Sequence, residues 1–277
     1  MREYLQAIAR TRGIPLHGTF ELTPLCNLDC RMCYVHLSAS QLEKTGGSLL
    51  TTAQWKQIME QAADAGMLHA TLTGGEALTY PGFDELYLYL LSRGVGVTLK
   101  SNGLLLTDSR VDFFRRHPVE GIQITLYGAD QETYETVTGV RGFDAALAGI
   151  ERVKAAGIPL EVNLTPTKPA LANMEKLLKL VDSLDVPVGI STGLYPARAE
   201  TGRSVMDLQP SLEDYITLYQ TRARLRGQKL VPRPADSLPV PGGGGQEPVR
   251  GLPCGGGRSS FAVHWNGRIH PGLSMDQ

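Results

Sequence analysis

The sequence of 277 residues has few cysteines and no long apolar run. Four cysteines in a chain of this length are too few for a secreted fold built on disulfides. No stretch of about 18 apolar residues is present, so we expect no transmembrane helix. The N-terminus, MREYLQAIARTRG, is polar and charged and lacks the apolar core of a signal peptide. These absences favour a cytoplasmic protein.

The chain also lacks an excess of charge of either sign. Its net charge is −1, with 27 lysines and arginines against 28 acidic residues. Proteins that bind nucleic acid or a membrane surface through electrostatics usually carry a basic excess. We therefore expect no nucleic-acid partner and no membrane association. The length suits one large domain with a substantial core.

Short apolar runs alternate with helix-like stretches along most of the chain. The predicted strands are 18–23, 68–73, 95–100, 120–126, 160–165 and 186–191, and the predicted helices are 51–65, 83–92, 107–116, 142–156 and 171–184. Three of these helices end at a glycine (Gly66, Gly94 and Gly157), as helix C-caps do. The repeated order predicts an α/β fold with a parallel sheet and crossover helices. Periodicity alone does not say whether the sheet closes into a barrel.

The pattern changes after residue 210. Residues 211–226 predict one more helix, with Ser211 and Asp214 forming a capping box. Residues 231–257 contain a run of four glycines and many prolines, which is typical of a linker. Asn266-Gly267 is a two-residue turn signal between two short apolar stretches, so we predict a β-hairpin there.

Three of the cysteines, Cys26, Cys30 and Cys33, follow the first predicted strand in a C-x3-C-x2-C pattern. In parallel α/β folds, ligands bind at that end of the strands. Three interpretations are open on the pattern alone. An iron–sulfur cluster is held by cysteine thiolates. A structural zinc site needs a fourth ligand, for which His36 is available. The third interpretation is three free thiols.

The stretch CNLDCRMCY, followed after the next strand by TLTGGEALTYPGF, resembles the radical S-adenosylmethionine (SAM) superfamily. The resemblance implies a partial (β/α)6 barrel in which Cys26, Cys30 and Cys33 hold a [4Fe-4S] cluster. The amino and carboxylate groups of SAM then bind the fourth iron, which accounts for three cysteines rather than four. Family members usually have an aromatic residue beside the last cysteine. Here Tyr34 follows Cys33, and we expect it to cover the site.

The resemblance also implies a SAM site at the ends of the later strands. Gly74, Gly75 and Glu76 are expected to bind the amino group of SAM, because glycines allow close backbone approach and a carboxylate suits a cationic amine. The other expected SAM contacts are Ser101, Asn102, Thr125, Asn163 and Ser191. Arg141 and Arg198 are candidates for contact with a carboxylate of SAM or of the substrate. No residue is assigned a catalytic role.

The implied activity is reductive cleavage of SAM to a 5′-deoxyadenosyl radical, which abstracts hydrogen from a substrate. It requires an external electron donor, similar to flavodoxin or ferredoxin. The segment LPCGGGRSSFAVHWNGRIHPG resembles the start of the SPASM-type domain of radical SAM enzymes that modify peptides. This favours a ribosomally made peptide or a protein side chain as substrate. A small metabolite or haem precursor is the alternative, and a non-catalytic metal-binding protein is a remote one.

The SPASM-like segment is incomplete. Cys254 occupies the position of its first cysteine, but Gly272 stands where the second is expected and no later cysteine follows. We therefore expect a truncated or degenerate segment in which Cys254 is a free thiol. With little chain before Cys26, a leader peptide is expected to be bound by a separate protein or by the barrel itself. The predicted division is an N-terminal segment (1–15), the barrel (16–210), a helix and linker (211–250) and the SPASM-like hairpin (251–277).

Overall fold

The computed structural model describes residues 2–228 and 255–273. Its core is an eight-stranded sheet with the order β6-β5-β4-β3-β2-β1-β7-β8. The strands are β1 (His17–Glu21), β2 (His69–Thr73), β3 (Gly96–Ser101), β4 (Gly121–Leu126), β5 (Leu160–Leu164), β6 (Val188–Ile190), β7 (Ser260–Val263) and β8 (Ile269–His270). Neighbours from β6 to β7 are parallel, and β8 is antiparallel to β7. This confirms the predicted α/β fold, and the sheet is open because β6 and β8 form its two edges.

Helices connect the strands along the chain. They are α1 (Arg2–Arg12), α2 (Ala39–Lys44), α3 (Thr52–Asp64), α4 (Phe83–Ser92), α5 (Asp108–Arg116), α6 (Gln131–Thr138), α7 (Phe143–Ala155), α8 (Lys168–Leu171), α9 (Met174–Ser183) and α10 (Leu212–Leu225). The predicted helices are confirmed, except that the one expected over 171–184 is divided into the end of α8 and α9. Within the described part of the chain, no helix has both the length and the apolar character needed to cross a membrane.

The helix ends follow the capping signals of the sequence. Ser211 and Asp214 form the predicted capping box of α10. The glycines just beyond α3, α4 and α7 have positive φ angles of 106°, 71° and 68° at Gly66, Gly94 and Gly157. Glycine adopts this conformation at little cost, so each of the three helices stops where the chain must turn back toward the sheet.

Helix α6 was not expected from the sequence. Its residues, QETYETVT, are rich in threonine, which has a low helix propensity because its side chain is branched at Cβ. The helix begins at a capping box formed by Asp130 and Thr133 and ends at Gly139 in the left-handed conformation. Local capping and burial of Tyr134 and Val137 thus outweigh the weak propensity.

The strands alternate between two environments. On β4, Ile122, Ile124 and Leu126 are buried, whereas Gln123 and Thr125 between them remain partly exposed. Successive side chains of a strand point to opposite faces of the sheet. The apolar set therefore packs under the helices, and the polar set lines the concave face of the open sheet.

The predicted C-terminal hairpin is present as β7 and β8, but it is also part of the main sheet. β7 pairs with β1 in parallel register, with Thr19 opposite Ala262. His264 N donates to the Arg268 carbonyl at 2.9 Å, so the loop has three residues rather than the predicted two. Trp265, in that loop, is 3% exposed and packs against Val35. Gly267 has a φ of 86°, the left-handed conformation that is typical of the last residue in a three-residue hairpin loop. Cys254 and residues 229–253 lie outside the described residues.

Candidate functional site

The three cysteines lie in the loop after β1, at the edge where the parallel strands end. Cys33 N donates a hydrogen bond to the Cys30 carbonyl at 3.0 Å, which closes a tight turn. Leu28 N donates to Cys26 Sγ, and His36 N donates to Cys33 Sγ, each at 3.3 Å. Backbone N–H donors stabilise a thiolate relative to a thiol. Two of the three sulfurs are therefore placed to carry negative charge.

Burial opposes ionisation of the same groups. Burial raises the pKa of Cys26 to about 12 and also raises the pKa of Cys33. The pKa of Cys30 is raised first by burial and then by the neighbouring Cys33 and Cys26, so the three sulfurs are within electrostatic reach of one another. At neutral pH such thiols keep their protons. A bound cationic metal group would supply the charge that turns all three into thiolates.

A single metal ion does not fit this loop. Among the described residues, no three or more His, Cys, Asp or Glu side chains are grouped closely enough to hold one ion. The Nδ1 atom of His36 lies 3.3 Å from an oxygen of Asp29 and 3.0 Å from Nη2 of Arg203, so this ring nitrogen is already engaged. Zinc binds all its ligands at one point, whereas the thiolates of a cubane cluster each bind a different iron. The geometry favours a cluster over zinc with His36.

The end of α6 supports the cysteine loop from one side. Asp29 N donates to the Thr138 carbonyl at 2.8 Å, and Arg31 N donates to the Val137 carbonyl at 3.0 Å. These carbonyls lie in the last turn of a helix, where they have no partner within the helix. The loop thereby fills bonding positions that the helix leaves open, and the two segments hold each other in place.

Arg203 supports the loop from another side. Its Nη1 donates to the Cys30 carbonyl at 2.5 Å, and its Nη2 contacts both Asp29 and His36. The guanidinium lowers the pKa of Asp29 and partly offsets the effect of burial on the pKa of Cys30. Sequence reasoning missed this residue because it is far from the cysteines in the chain and belongs to no recognised motif.

The turn after β2 packs directly on the start of the cysteine loop. Gly75 N donates to the Thr23 carbonyl at 2.7 Å, and Glu76 N donates to the Leu25 carbonyl at 3.0 Å. A Cβ atom on Gly74 would lie 2.4 Å from the Thr23 carbonyl oxygen, and one on Gly75 would lie 2.3 Å from that of Leu25. Both positions must therefore be glycine for the turn to contact the cysteine loop, whether or not a ligand also approaches them.

The Glu76 carboxylate is buried and occupied by donors of the protein. It is 1% exposed and accepts hydrogen bonds from Asn102 N (2.8 Å), Leu78 N (3.1 Å) and the Ser101 hydroxyl (3.1 Å). Burial raises its pKa, and these three donors partly oppose that effect. These hydrogen bonds hold the turn after β2 against the end of β3. The expected contact of Glu76 with the amino group of SAM stays a prediction.

Ser101 and Asn102 are also bound within the protein. The Ser101 side chain lies on the buried, helix-facing side of β3 and donates to Glu76. The Asn102 amide Nδ2 donates to Oδ1 of Asn27 at 2.7 Å and lies 3.6 Å from Cys26 Sγ. Asn102 therefore links the third strand to the cysteine loop, and its contact with SAM stays a prediction.

Three of the predicted SAM contacts lie together on the concave face. Thr125 is opposite Asn163 in the register of β4 and β5. Asn163 Nδ2 donates to the Ser191 hydroxyl at 3.2 Å and to the Thr165 hydroxyl at 3.3 Å. All four side chains are partly exposed at the same sheet edge as the cysteines. They form a continuous polar surface of donors and acceptors.

A charged group lies deeper on the same face, and the sequence analysis did not single it out. Lys100 is paired in register with Gln123, whose amide donates to a Glu161 carboxylate oxygen at 2.5 Å. Lys100 is exposed to solvent, although protein atoms crowd its ammonium group. Burial lowers its pKa, and the charge of Glu161 partly opposes that change. The concave face is thus polar and charged along its length.

Tyr34 and Arg198 form a cluster beside Cys33, in which Arg198 is buried and Tyr34 is partly exposed. The guanidinium lies 5.4 Å from the Tyr34 ring centroid and donates to Glu21 at 2.8 Å. It also lies 3.0 Å from Nε2 of His264, at the end of β7. Arg198 is therefore part of the protein framework, in contrast to its expected role as a ligand for a carboxylate. Arg141 is exposed and pairs with Glu135 on the surface.

Comparison with protein families shows which superfamily the chain belongs to. The model of the radical SAM superfamily matches residues 20–186, which include the cysteine loop and the turn after β2. The chain belongs to the radical SAM superfamily. Radical SAM proteins are enzymes that use a [4Fe-4S] cluster and S-adenosylmethionine. Cys26, Cys30 and Cys33 would hold such a cluster, since thiolates are its usual ligands and the described residues include no group that converges on a single ion.

Two curated radical SAM relatives share about a third of their residues with this chain over the matched part. The AdoMet-dependent heme synthase of Methanosarcina barkeri is 34% identical over 166 residues, which are 60% of this chain and 46% of that protein. The PqqA peptide cyclase of Streptomyces rochei is 31% identical over 170 residues, or 61% of this chain and 45% of that protein. The chain matches about half the length of these relatives.

A solved structure shares the radical SAM fold over the whole chain. Streptococcus suis SuiB bound to its precursor peptide SuiA superimposes with a TM-score of 0.66 and 18% identity. The superposition covers 100% of this chain and 64% of SuiB. At this level of identity the comparison establishes the shared fold.

Replacement of Arg203 by methionine is expected to loosen the radical SAM cluster. Residues that orient metal ligands without binding the metal typically change its retention about 10- to 100-fold when they are lost. We expect the Arg203→Met protein to lose its cluster to a chelator faster by a factor in that range, measured by the decay of the visible absorption band. Arg141→Met is the matched control, because Arg141 is a surface residue. Equal decay rates in both variants and the wild type would contradict a supporting role for Arg203.

Replacement of Glu76 by glutamine is expected to lower the stability of the cluster-free protein by about 1–3 kcal/mol. One of the donors to Glu76 then faces an NH2 group and loses its acceptor. The pKa of Glu76 is raised in the folded protein, so the folded state binds its proton more tightly than the unfolded state. The advantage of wild type over Glu76→Gln should therefore be largest at low pH and fall as pH rises above about 4.5. Urea unfolding at several pH values measures it, and an advantage that grows with pH would contradict this assignment.

Proposed function

We propose that this chain binds a [4Fe-4S] cluster through Cys26, Cys30 and Cys33 and uses SAM to modify a ribosomally made peptide or a protein side chain. The observation that carries the proposal is the position of these thiols. Cys30 is buried and Cys26 and Cys33 are partly buried. The three sulfurs are within electrostatic reach of one another, and backbone N–H groups donate to those of Cys26 and Cys33 at the edge of a polar concave face. When bound, the cluster supplies the electron that cleaves SAM to the 5′-deoxyadenosyl radical.

The residues of the chain bind and orient this chemistry. Within the described residues, the carbonyl oxygens of Gly74 and Gly75 accept no hydrogen bond, so they are available to the amino group of SAM. Glu76 contributes by fixing the turn that presents these carbonyls. Thr125, Asn163 and Ser191 offer hydroxyl and amide groups for the rest of SAM.

A peptide substrate is supported by the shape of the sheet and by two comparisons. Among the described residues, β6 and β8 form the two edges of the sheet, so no strand closes the sheet at the side, and we expect an extended chain to bind along its polar face. The relative from Streptomyces rochei is a peptide cyclase, and SuiB was solved with a precursor peptide. The proposal includes a small external electron donor resembling flavodoxin or ferredoxin, and a leader peptide bound by a separate protein or by the barrel.

Anaerobic reconstitution with iron and sulfide tests the proposed chemistry. The wild type should gain a broad visible absorption band and about four irons and four sulfides per chain. After reduction it should convert SAM to 5′-deoxyadenosine. A variant with Cys26→Ala, Cys30→Ala and Cys33→Ala should do neither, whereas Cys254→Ala, outside the described residues, should behave as the wild type. One zinc per chain and no chromophore would refute the proposal.

A haem precursor or another small metabolite is the second candidate substrate. It is favoured by the relative from Methanosarcina barkeri, which is a heme synthase. Deuterium transfer separates the two candidates. The first probe is a deuterated form of a peptide whose gene lies next to the gene of this protein. If that peptide is the substrate, deuterium should appear in 5′-deoxyadenosine. Transfer from a deuterated tetrapyrrole instead would support the second candidate.

A further inference from the structure

Tyr134, in the middle of α6, carries a buried hydroxyl that the protein does not satisfy. The residue is 0% exposed, and its hydroxyl has no hydrogen-bond partner among the described residues. Buried hydroxyls in folded proteins nearly always have a partner, because an unsatisfied one costs free energy. A ligand that is bound in the functional protein is one source of such a partner.

The surroundings of Tyr134 point toward the cysteine loop. The last turn of α6 accepts hydrogen bonds from Asp29 N and Arg31 N, on either side of Cys30. The ring of Tyr134 packs edge to face against Tyr127 and Phe143, each with a centroid separation of 6.1 Å, so its orientation is fixed. Burial raises the pKa of its hydroxyl, and the charges of Cys30 and Cys26 raise it further, so the hydroxyl is within electrostatic reach of both sulfurs.

Two other buried atoms that lack a partner among the described residues lie in different surroundings. Trp55 Nε1 belongs to a side chain of α3 that packs against Phe20, under the convex side of the sheet. The second atom is Nε of Arg222. The groups that shift the pKa of Arg222 do not include the cysteines. Tyr134 combines an unsatisfied donor with proximity to the cysteines.

We infer that the Tyr134 hydroxyl donates a hydrogen bond to a sulfur of the cluster held by Cys26, Cys30 and Cys33. The inference rests on the proposed function, because the acceptor is the cluster. A hydrogen bond to sulfur stabilises negative charge, and the reduced cluster carries one more negative charge than the oxidised one. Tyr134 therefore makes the cluster easier to reduce, which assists the electron transfer on which SAM cleavage depends.

Tyr134→Phe removes this donor and keeps the ring. At a fixed potential near the wild-type midpoint, we expect the ratio of reduced to oxidised cluster to fall about three- to tenfold, measured by electron paramagnetic resonance in a redox titration. A tenfold change corresponds to about 59 mV for one electron. Tyr87→Phe is the matched control: Tyr87 is equally buried in α4, and its hydroxyl donates to the His117 carbonyl at 2.9 Å. It should leave the ratio unchanged.

Stability of the cluster-free protein gives a second measurement. Without a cluster, Tyr134 has no acceptor to lose, so Tyr134→Phe should leave the urea midpoint unchanged or raise it, whereas Tyr87→Phe should lower it. An unchanged ratio of reduced to oxidised cluster in Tyr134→Phe would overturn the inference. A lowered urea midpoint would do the same, since it would reveal a protein or water partner. If the reconstituted wild-type protein itself contained no iron, the proposed function would be overturned together with the inference.

Discussion

Gly75→Ala is expected to remove most of the cluster and to lower SAM cleavage about 100-fold. The added Cβ would lie 2.3 Å from the Leu25 carbonyl oxygen and 2.7 Å from the Pro24 carbonyl oxygen. Both are backbone atoms, so no side-chain rotation relieves the overlap. The strand end that leads directly into Cys26 must move instead, and displacement of a ligand by about 1 Å is enough to prevent productive geometry.

Gly193→Ala is the matched control for this prediction. Its added Cβ would have its nearest neighbour, Oε1 of Gln209, at 3.9 Å, and its backbone is not in the left-handed region. Iron content and the yield of 5′-deoxyadenosine should therefore match the wild type. If the Gly75→Ala protein kept its full iron content and cleaved SAM at the wild-type rate, the packing of this turn on the cysteine loop would not be required for function.

Arg198→Met is expected to lower the free energy of unfolding by about 3–5 kcal/mol. The guanidinium and the Glu21 carboxylate are both buried and lie 2.8 Å apart. Methionine fills much of the same volume but removes the cation that faces the carboxylate. The loss is therefore dominated by a buried negative charge rather than by a cavity, and it is measured by urea unfolding at neutral pH.

The double variant Arg198→Met, Glu21→Gln distinguishes these two causes. Removing the charge of Glu21 as well should restore most of the stability that Arg198→Met loses. Arg115→Met is the surface control, since Arg115 pairs with Asp112 where both side chains are 62% exposed, and it should change stability by less than about 1 kcal/mol. No recovery in the double variant would mean that packing of the Arg198 side chain on Tyr34 is the main contribution.

Local patterns in the sequence predict the framework well. The alternation of apolar runs and the glycines after helices were sufficient for the order of β1 to β6 and for most helices between them, because these signals act within one element. The cysteine loop was also accessible from the sequence, since its ligand types are adjacent. Helix α6 was missed because its capping box and buried contacts offset a weak local propensity.

The environment of each polar residue in the site was less predictable. The protein partners of Glu76 include the backbone at the end of β3, which the motif around Glu76 does not reveal. Arg203 reaches Cys30 across 173 positions of the chain. Such pairings depend on which strand ends meet in three dimensions, and no local pattern encodes them. Side-chain roles that require contacts between distant segments therefore had to come from the structure.

The position of β7 beside β1 has a consequence for how the protein is made. Of the described strands, β1 leaves the ribosome first, but its neighbour on one side begins only at Ser260. Until then that edge of β1 exposes unpaired backbone groups, which are prone to association with other chains. Trp265 reaches its place near Cys33 only at the same late stage. Formation of a protected cysteine loop is thus postponed until nearly the whole sheet has been synthesised.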